Sequence, residues 1–272
     1  PAPLPSSVDA RPPREIASQV EGLGVVKARM DTLTLGVLSV LAGAFISLAA
    51  MLYLMTITGS TMGFGGTRLV GGLAFSVGLV LVVVAGAELF TGNNLIAMAW
   101  ASGLVGTQAV LRNWAVAYLG NVIGCLGTVL LIKACGLGAL GDGAVAATAV
   151  KVAAAKAALP WGEAFARGVL CNALVCLAVW LTYSARTTLG GHSVTDKILA
   201  ILFPITAFVA LGGEHSIANW FFLPYGLWLD PGTGLALHDV ARNLVAVTAG
   251  NIAGGTLLVA GVYWMAYLRG PH

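Results

Sequence analysis

Charge is what this chain most lacks. Only 9% of its 272 residues are Asp, Glu, Lys or Arg, where a soluble globular domain carries about a quarter. With 58% apolar residues and a mean hydropathy of +0.90, too little polar surface remains to cover a water-soluble particle. The same balance excludes a disordered chain, a coiled coil and a small disulfide scaffold. The four cysteines, Cys125, Cys135, Cys171 and Cys176, fall in or beside apolar runs. They show no CxxC or Cys/His ligand spacing and read as small apolar filler. No nucleotide loop, Ser/His/Asp pattern or metal-ligand cluster points to an enzyme, and none implies a metal or cofactor. No basic run interleaved with aromatics points to nucleic acid. Paired Asn-Pro-Ala motifs, expected of a water or glycerol pore, are missing as well.

What is present is a polytopic membrane protein. A helix needs about 20 apolar residues to cross a bilayer core, and six runs qualify. They are Thr34–Ile57; Leu69–Ala87, interrupted at Glu88 and resumed over Leu95–Trp100; Trp114–Ile132; Phe165–Tyr183; Ile198–Leu211, broken at Gly212 and resumed from Trp220; and Leu244–Leu268. The runs are apolar on every face, so they are helices rather than the alternating strands of a barrel. Pro1–Asp31 differs in kind: it holds five of the ten prolines. It reads as a soluble, solvated N-terminal arm, with a short surface helix over Arg14–Met30 and no signal-peptide pattern. Residues 32–272 form the six-helix transmembrane domain. With the N-terminus inside, eight Lys and Arg lie inside (Arg11, Arg14, Lys27, Arg29, Arg112, Arg186, Lys197, Arg269) and six outside. That excess places both termini in the cytoplasm.

An internal duplication organises the spans. Residues 112–124 read RNWAVAYLGNVIG and residues 242–254 read RNLVAVTAGNIAG, an offset of 130. Glu88 and Asn93 recur as Glu214 and Asn219 at an offset of 126, and Gly36-Val37-Leu38 recurs as Gly168-Val169-Leu170 at 132. Three near-equal offsets in one order describe a three-helix unit used twice. Three is odd, so the second copy enters from the opposite side, an inverted repeat of the transporter kind. The two polar breaks, ELFTGNN from Glu88 and GGEHSIAN from Gly212, then face each other across a cavity. His215 is the only histidine well inside an apolar run; His192, His238 and His272 sit in loops or at the end. A titratable group at that depth is a functional candidate by default, with a hydrogen-bonded structural histidine as the plainer alternative. Glu88 and Glu214 read first as caps on the freed backbone N–H groups of the second half-helices. Thr91 can donate to an anion or to the imidazole. Leu89, Phe90, Phe75, Leu79 and Phe208 lie near the breaks and serve either packing or an apolar gate.

These motifs resemble the formate/nitrite transporter family. The residues that carry the likeness are AELFTGNN (Ala87–Asn94), YLGNVIG (Tyr118–Gly124), LCNALVCLAVW (Leu170–Trp180), EHSIAN (Glu214–Asn219) and AGNIAGG (Ala249–Gly255). The resemblance implies an all-α, aquaporin-like protomer with six transmembrane helices in two inverted three-helix repeats and broken second and fifth helices. It implies a homopentamer in the inner membrane with one pore per protomer, passing a small monovalent anion: formate first, then nitrite, with hydrosulphide or lactate less favoured. By the same likeness His215 is the central histidine and Thr91 the threonine facing it. Phe75, Leu79, Leu89, Phe90, Val175 and Phe208 resemble the apolar constrictions. Lys156 and Asn172 fall at the outer vestibule, Asn251 is the polar residue of the sixth span, and Glu214 stands beside the histidine. Two departures stand out: Gly213 replaces an aromatic, and Trp220 a methionine. Either His215 delivers a proton to the anion or it supplies only a favourable field. A membrane-embedded structural subunit is the rival of another class, and it gains nothing from the polar breaks.

Overall fold

A computed structural model describes residues 10–184, 194–230, 232 and 234–270. Among them every regular element is helical. The first nine residues of the arm, and Arg186, His192 and His272, lie outside the described residues.

Helix α1 (Pro13–Arg29) precedes α2 (Thr32–Ile57). Asp31 caps α2, its carboxylate accepting the Thr34 N–H at 2.9 Å. That backbone bond holds the Asp31 carboxyl below its ordinary range. Helix α3 (Gly63–Gly86) ends in a π-helical turn over Leu81–Gly86, and the chain is then extended to Leu89. Helix α4 (residues 90–101) resumes. Helices α5 (Thr107–Ala134), α6 (Ala144–Ala157) and α7 (Trp161–Thr182) follow. Helix α8 (Val194–Ala210) stops before a second non-helical stretch, after which come α9 (Ser216–Leu229) and α10 (Leu237–Tyr267).

Among the described residues five helices, α2, α3, α5, α7 and α10, are long and apolar enough to cross a membrane. The remaining run of the six is divided at Leu211–His215 into α8 and α9, 17 and 14 residues long. Neither piece alone has the length of a span.

Backbone approach holds the bundle together, since helices in lipid gain more from close packing than from hydrophobic exclusion. A Cβ on Gly124 of α5 would stand 2.0 Å from the Val40 carbonyl oxygen of α2. A Cβ on Gly254 of α10 would stand 2.2 Å from the Val169 carbonyl oxygen of α7. Each glycine of the duplicated Gly-Asn-x-x-Gly motif therefore lets one helix lie directly on its neighbour.

Over Pro13–Arg29 the expected solvated tail is instead a docked helix. Ile16, Ala17 and Val20 are buried with Leu95, Met98, Trp180 and Val259. Ala28 is buried with Ile96, Ala99 and Val110. The arginines at the ends of α1 masked this apolar face in the sequence.

Gly124→Leu is expected to force α2 from α5 and lower stability by about 3 kcal/mol, as overpacking does. Gly127→Leu, with nothing within 4 Å of its Cβ position, is the control and leaves the melting temperature in detergent unchanged.

Candidate functional site

Two stretches of extended backbone lie deep in an apolar bundle, where every N–H and C=O needs a partner. Two asparagines supply them. Asn121 of α5 accepts the Phe90 N–H at 2.9 Å and donates to the carbonyls of Glu88 (2.9 Å) and Ser39 (2.7 Å). Asn251 of α10 accepts the Ser216 N–H at 2.8 Å and donates to the carbonyls of Glu214 (2.9 Å) and Gly168 (2.8 Å). The two sets match atom for atom. Asn172 of α7 adds a further tie, donating to Thr91 O (3.2 Å), Asn251 O (2.7 Å) and Asn94 Oδ1 (2.8 Å).

The glutamates do not cap the half-helices as the sequence suggests. Glu88 accepts from Lys27 Nζ at 2.6 Å and Asn93 Nδ2 at 2.8 Å. Asn93 also donates to Asn113 (3.0 Å), which donates to the Lys27 carbonyl (2.9 Å) and closes a ring. The same ring recurs around Glu214: Lys156 at 2.8 Å, Asn219 at 2.6 Å, then Asn243 at 2.8 Å, returning to the Lys156 carbonyl at 2.8 Å. Each buried carboxylate is paired and hydrogen-bonded, the condition for keeping a charge inside a protein.

His215 itself caps α9. Its Nδ1 accepts the Ala218 N–H at 3.0 Å. The ring proton therefore sits on Nε2, which faces Thr91 Oγ1 at 2.9 Å. Both residues are buried. Thr91 lies in the first turn of α4, and His215 at the start of α9. The positive ends of two half-helices thus meet at this pair.

Two cavities flank it. One, of about 210 Å³, is lined by His215, Phe75, Phe208, Glu214 and Lys156, with Arg68, Arg167 and Gly213. The Phe208 ring stacks near the imidazole (6.1 Å between centroids) and meets Phe75 edge-on at 5.7 Å. The other cavity, of about 400 Å³, is lined by Leu79, Leu89, Glu88, Asn93 and Lys27. Other sequence candidates sit differently. Phe90 packs edge-on against Tyr118 (5.0 Å) and Trp114 (6.3 Å) of α5. Val175 is in the buried core. Asn172 and Asn251 hold backbone and line neither cavity.

Gly213 matters for Phe208: a Cβ there would meet the Phe208 carbonyl oxygen and Cys171 Cβ at 3.0 Å. Trp220 lines neither cavity and donates to Tyr118 Oη at 2.8 Å, which meets Thr248 at 3.0 Å. Sequence reasoning missed Lys27, Asn113, Asn121 and Asn243 as working parts. The shared Gly-Asn-x-x-Gly motif could have paired Asn121 with Asn251. Among the described residues no group of three His, Cys, Asp or Glu side chains is placed to hold a metal.

A sequence model of the family described as formate/nitrite transporter matches residues 14–265. The formate channel FocA of Escherichia coli strain K12 is 39% identical over 275 residues, covering 94% of each chain. A solved structure described as a pentameric formate channel with formate bound superposes with a TM-score of 0.80 at 37% identity, over 88% of this chain and 98% of that one. Another, described as an FNT family ion channel, gives a TM-score of 0.82 at 30% identity, over 93% and 98%.

Lys156→Met leaves Glu214 without its cation and is expected to destabilise the protein by about 3–5 kcal/mol. Lys156→Met combined with Glu214→Gln removes both charges and is expected to recover most of that loss. Thermal unfolding of the three purified proteins in detergent checks it.

Proposed function

This chain belongs to the formate/nitrite transporter family, and we propose that it conducts formate across the membrane through a path centred on Thr91 and His215. The observation that carries this reading is the buried Thr91–His215 pair, with a cavity and apolar side chains on either side of it. Supporting it, the Escherichia coli relative and one of the two solved structures are described as formate channels.

The path follows from solvation. A bare carboxylate in an apolar constriction is heavily penalised. At the centre it finds the imidazole Nε2–H, the Thr91 hydroxyl and two helix N-termini, all favouring negative charge. Phe75 and Phe208 on one side, and Leu79 and Leu89 on the other, form the constrictions in this reading. Formate crosses them with a proton, as the neutral acid. Because Nδ1 is engaged by the Ala218 N–H, His215 acts here as a neutral donor to a carboxyl oxygen of the substrate, and the proton stays on the substrate throughout its passage. Nitrite has the same charge and a similar pair of oxygens and is the second candidate.

The six-span architecture belongs to the same reading. Joined across the break, α8 and α9 make the fifth of six spans. The matched asparagine and carboxylate rings support two inverted halves of aquaporin-like form. They also extend the repeat, since Lys27 of α1 answers Lys156 of α6. A homopentamer in the inner membrane with both termini cytoplasmic completes the proposal. The alternative of a structural subunit without transport leaves the paired cavities unexplained.

The test uses purified protein in liposomes, with formate and nitrite uptake followed in parallel at pH 5 and pH 7 and an interior pH dye. Formate uptake with interior acidification is the expected result; no flux of either anion through intact protein overturns the reading. His215→Asn keeps both the cap on α9 and a donor toward Thr91. It is expected to retain formate flux and its proton co-movement. Flux retained with the proton lost would make His215 the proton carrier instead.

A further inference from the structure

The central machinery is mirrored, but the two mouths are not. Among the described residues, the cavity on the α3 side of Glu88 is lined by one cation, Lys27, and one carboxylate, so its ionic groups balance. The cavity beside Glu214 contains the matching pair, Lys156 and Glu214, and two arginines more, Arg68 and Arg167. Nothing in the repeat accounts for the extra arginines.

Their placement is specific. Arg68 of α3 donates through Nε to Ala210 O at 2.5 Å and through one terminal nitrogen to Val209 O at 3.1 Å, at the end of α8. Two of its five N–H groups are thereby used and the rest are free to donate. Arg167 of α7 meets Glu163, one turn back on its own helix, at 3.5 Å in an exposed pair of small worth. The two guanidinium groups converge on one spot. The position a Cβ would take at Gly212 lies 2.9 Å from an Arg68 terminal nitrogen and 3.4 Å from one of Arg167. Gly212 has φ +78°, a conformation side chains avoid, so the Cα face between the arginines stays open. Two like charges brought together in a cavity repel unless an anion sits between them. Guanidinium forks match the paired oxygens of a carboxylate.

We propose that Arg68 and Arg167 form an anion-loading subsite over Gly212 for a small monovalent carboxylate or nitrite, at the mouth beside Lys156 and ahead of the Phe75–Phe208 constriction. The identity of the anion rests on the transport reading above; the subsite itself rests on the convergence of the two groups. It concentrates anions where the bare constriction would turn them away. It also gives this mouth cations beyond its Lys156–Glu214 pair.

Arg68 also ties α3 to α8, so Arg167 is the position to change. Intact wild-type protein in liposomes is treated with phenylglyoxal, and modification of Arg167 is quantified by peptide mass spectrometry. Formate or nitrite is expected to slow it several-fold, while Arg242, which bonds to Asp239 and Ala157 O, reacts at an unchanged rate. Sulfate at matched ionic strength is expected to protect less; equal protection by sulfate would reduce the effect to screening and overturn the subsite. In flux assays Arg167→Gln is expected to raise the half-saturating formate concentration about five- to tenfold, with the maximal rate within about twofold. Arg167→Lys, which keeps the charge but not the fork, should fall between. An unprotected Arg167 together with unchanged half-saturation in Arg167→Gln overturns the proposal. Absence of wild-type flux would instead sink the transport reading, and the protection experiment would still decide the subsite.

Discussion

Everything in this molecule depends on satisfying backbone that has left its helix inside an apolar bundle. Each opened peptide group without a partner costs about 1–3 kcal/mol, and water is not at hand to substitute. Asn121 and Asn251 each take one N–H and two carbonyls, using the full reach of one side-chain amide toward three groups at once. An acid cannot do this, because ionised it only accepts; a serine has too few atoms. With the breaks fixed in this way, the half-helices α4 and α9 cannot drift, and Thr91 and His215 are held in contact. The central site is thus a by-product of solving a backbone problem twice.

The charges follow from that arrangement. A carboxylate at each break would be expensive alone, yet each is enclosed by a lysine and an asparagine, with a second asparagine returning to the lysine backbone. The lysines come from α1 and α6, helices too short to span, which lie over the two breaks and complete them. This explains why α1 is docked rather than free: withdrawing it would strip Glu88 of its cation. The consequence of two balanced rings is that neither lysine is a bare charge toward an incoming anion. Among the described residues, the further cations lining the cavity beside Glu214 are Arg68 and Arg167.

Much of this was legible in the sequence, and the limits have physical causes. Composition alone revealed the membrane class. The polar interruptions at Glu88 and Gly212 marked the breaks, because a polar group inside a long apolar run carries a desolvation cost that only a built polar site offsets. The offset between Glu88–Asn93 and Glu214–Asn219 paired the two breaks, whose Glu–Asn hydrogen bonds match. What stayed hidden was partnership. Glu88 read as a cap because a carboxylate before a helix usually is one; its lysine lies 61 residues away on a helix whose apolar face is diluted by charges. Asn121 carries the same motif as Asn251, but a lone asparagine in a span shows nothing of what it holds. Arg68 counted only as a loop charge and Arg167 as one near the end of a span, since one-dimensional spacing cannot show two side chains from different helices meeting near one glycine.

The histidine joins these strands. In sequence it is a titratable group and invites a proton-carrying role. In the fold one of its nitrogens is already engaged as the N-cap of α9, where it accepts from Ala218. A second ring proton at that nitrogen would face the amide donor to donor and would uncap the helix that bears the site. Only Nε2 remains for chemistry, and it carries a hydrogen directed at Thr91. The group is thereby restricted to donating, which is what an anion needs and what a neutral side chain can offer without a buried charge. In the proposed transport reading, selectivity for a small acid then rests on two separate features: hydrogen-bond donors at the centre that bind the carboxyl oxygens, and apolar rings outside that admit the substrate only when its charge is masked.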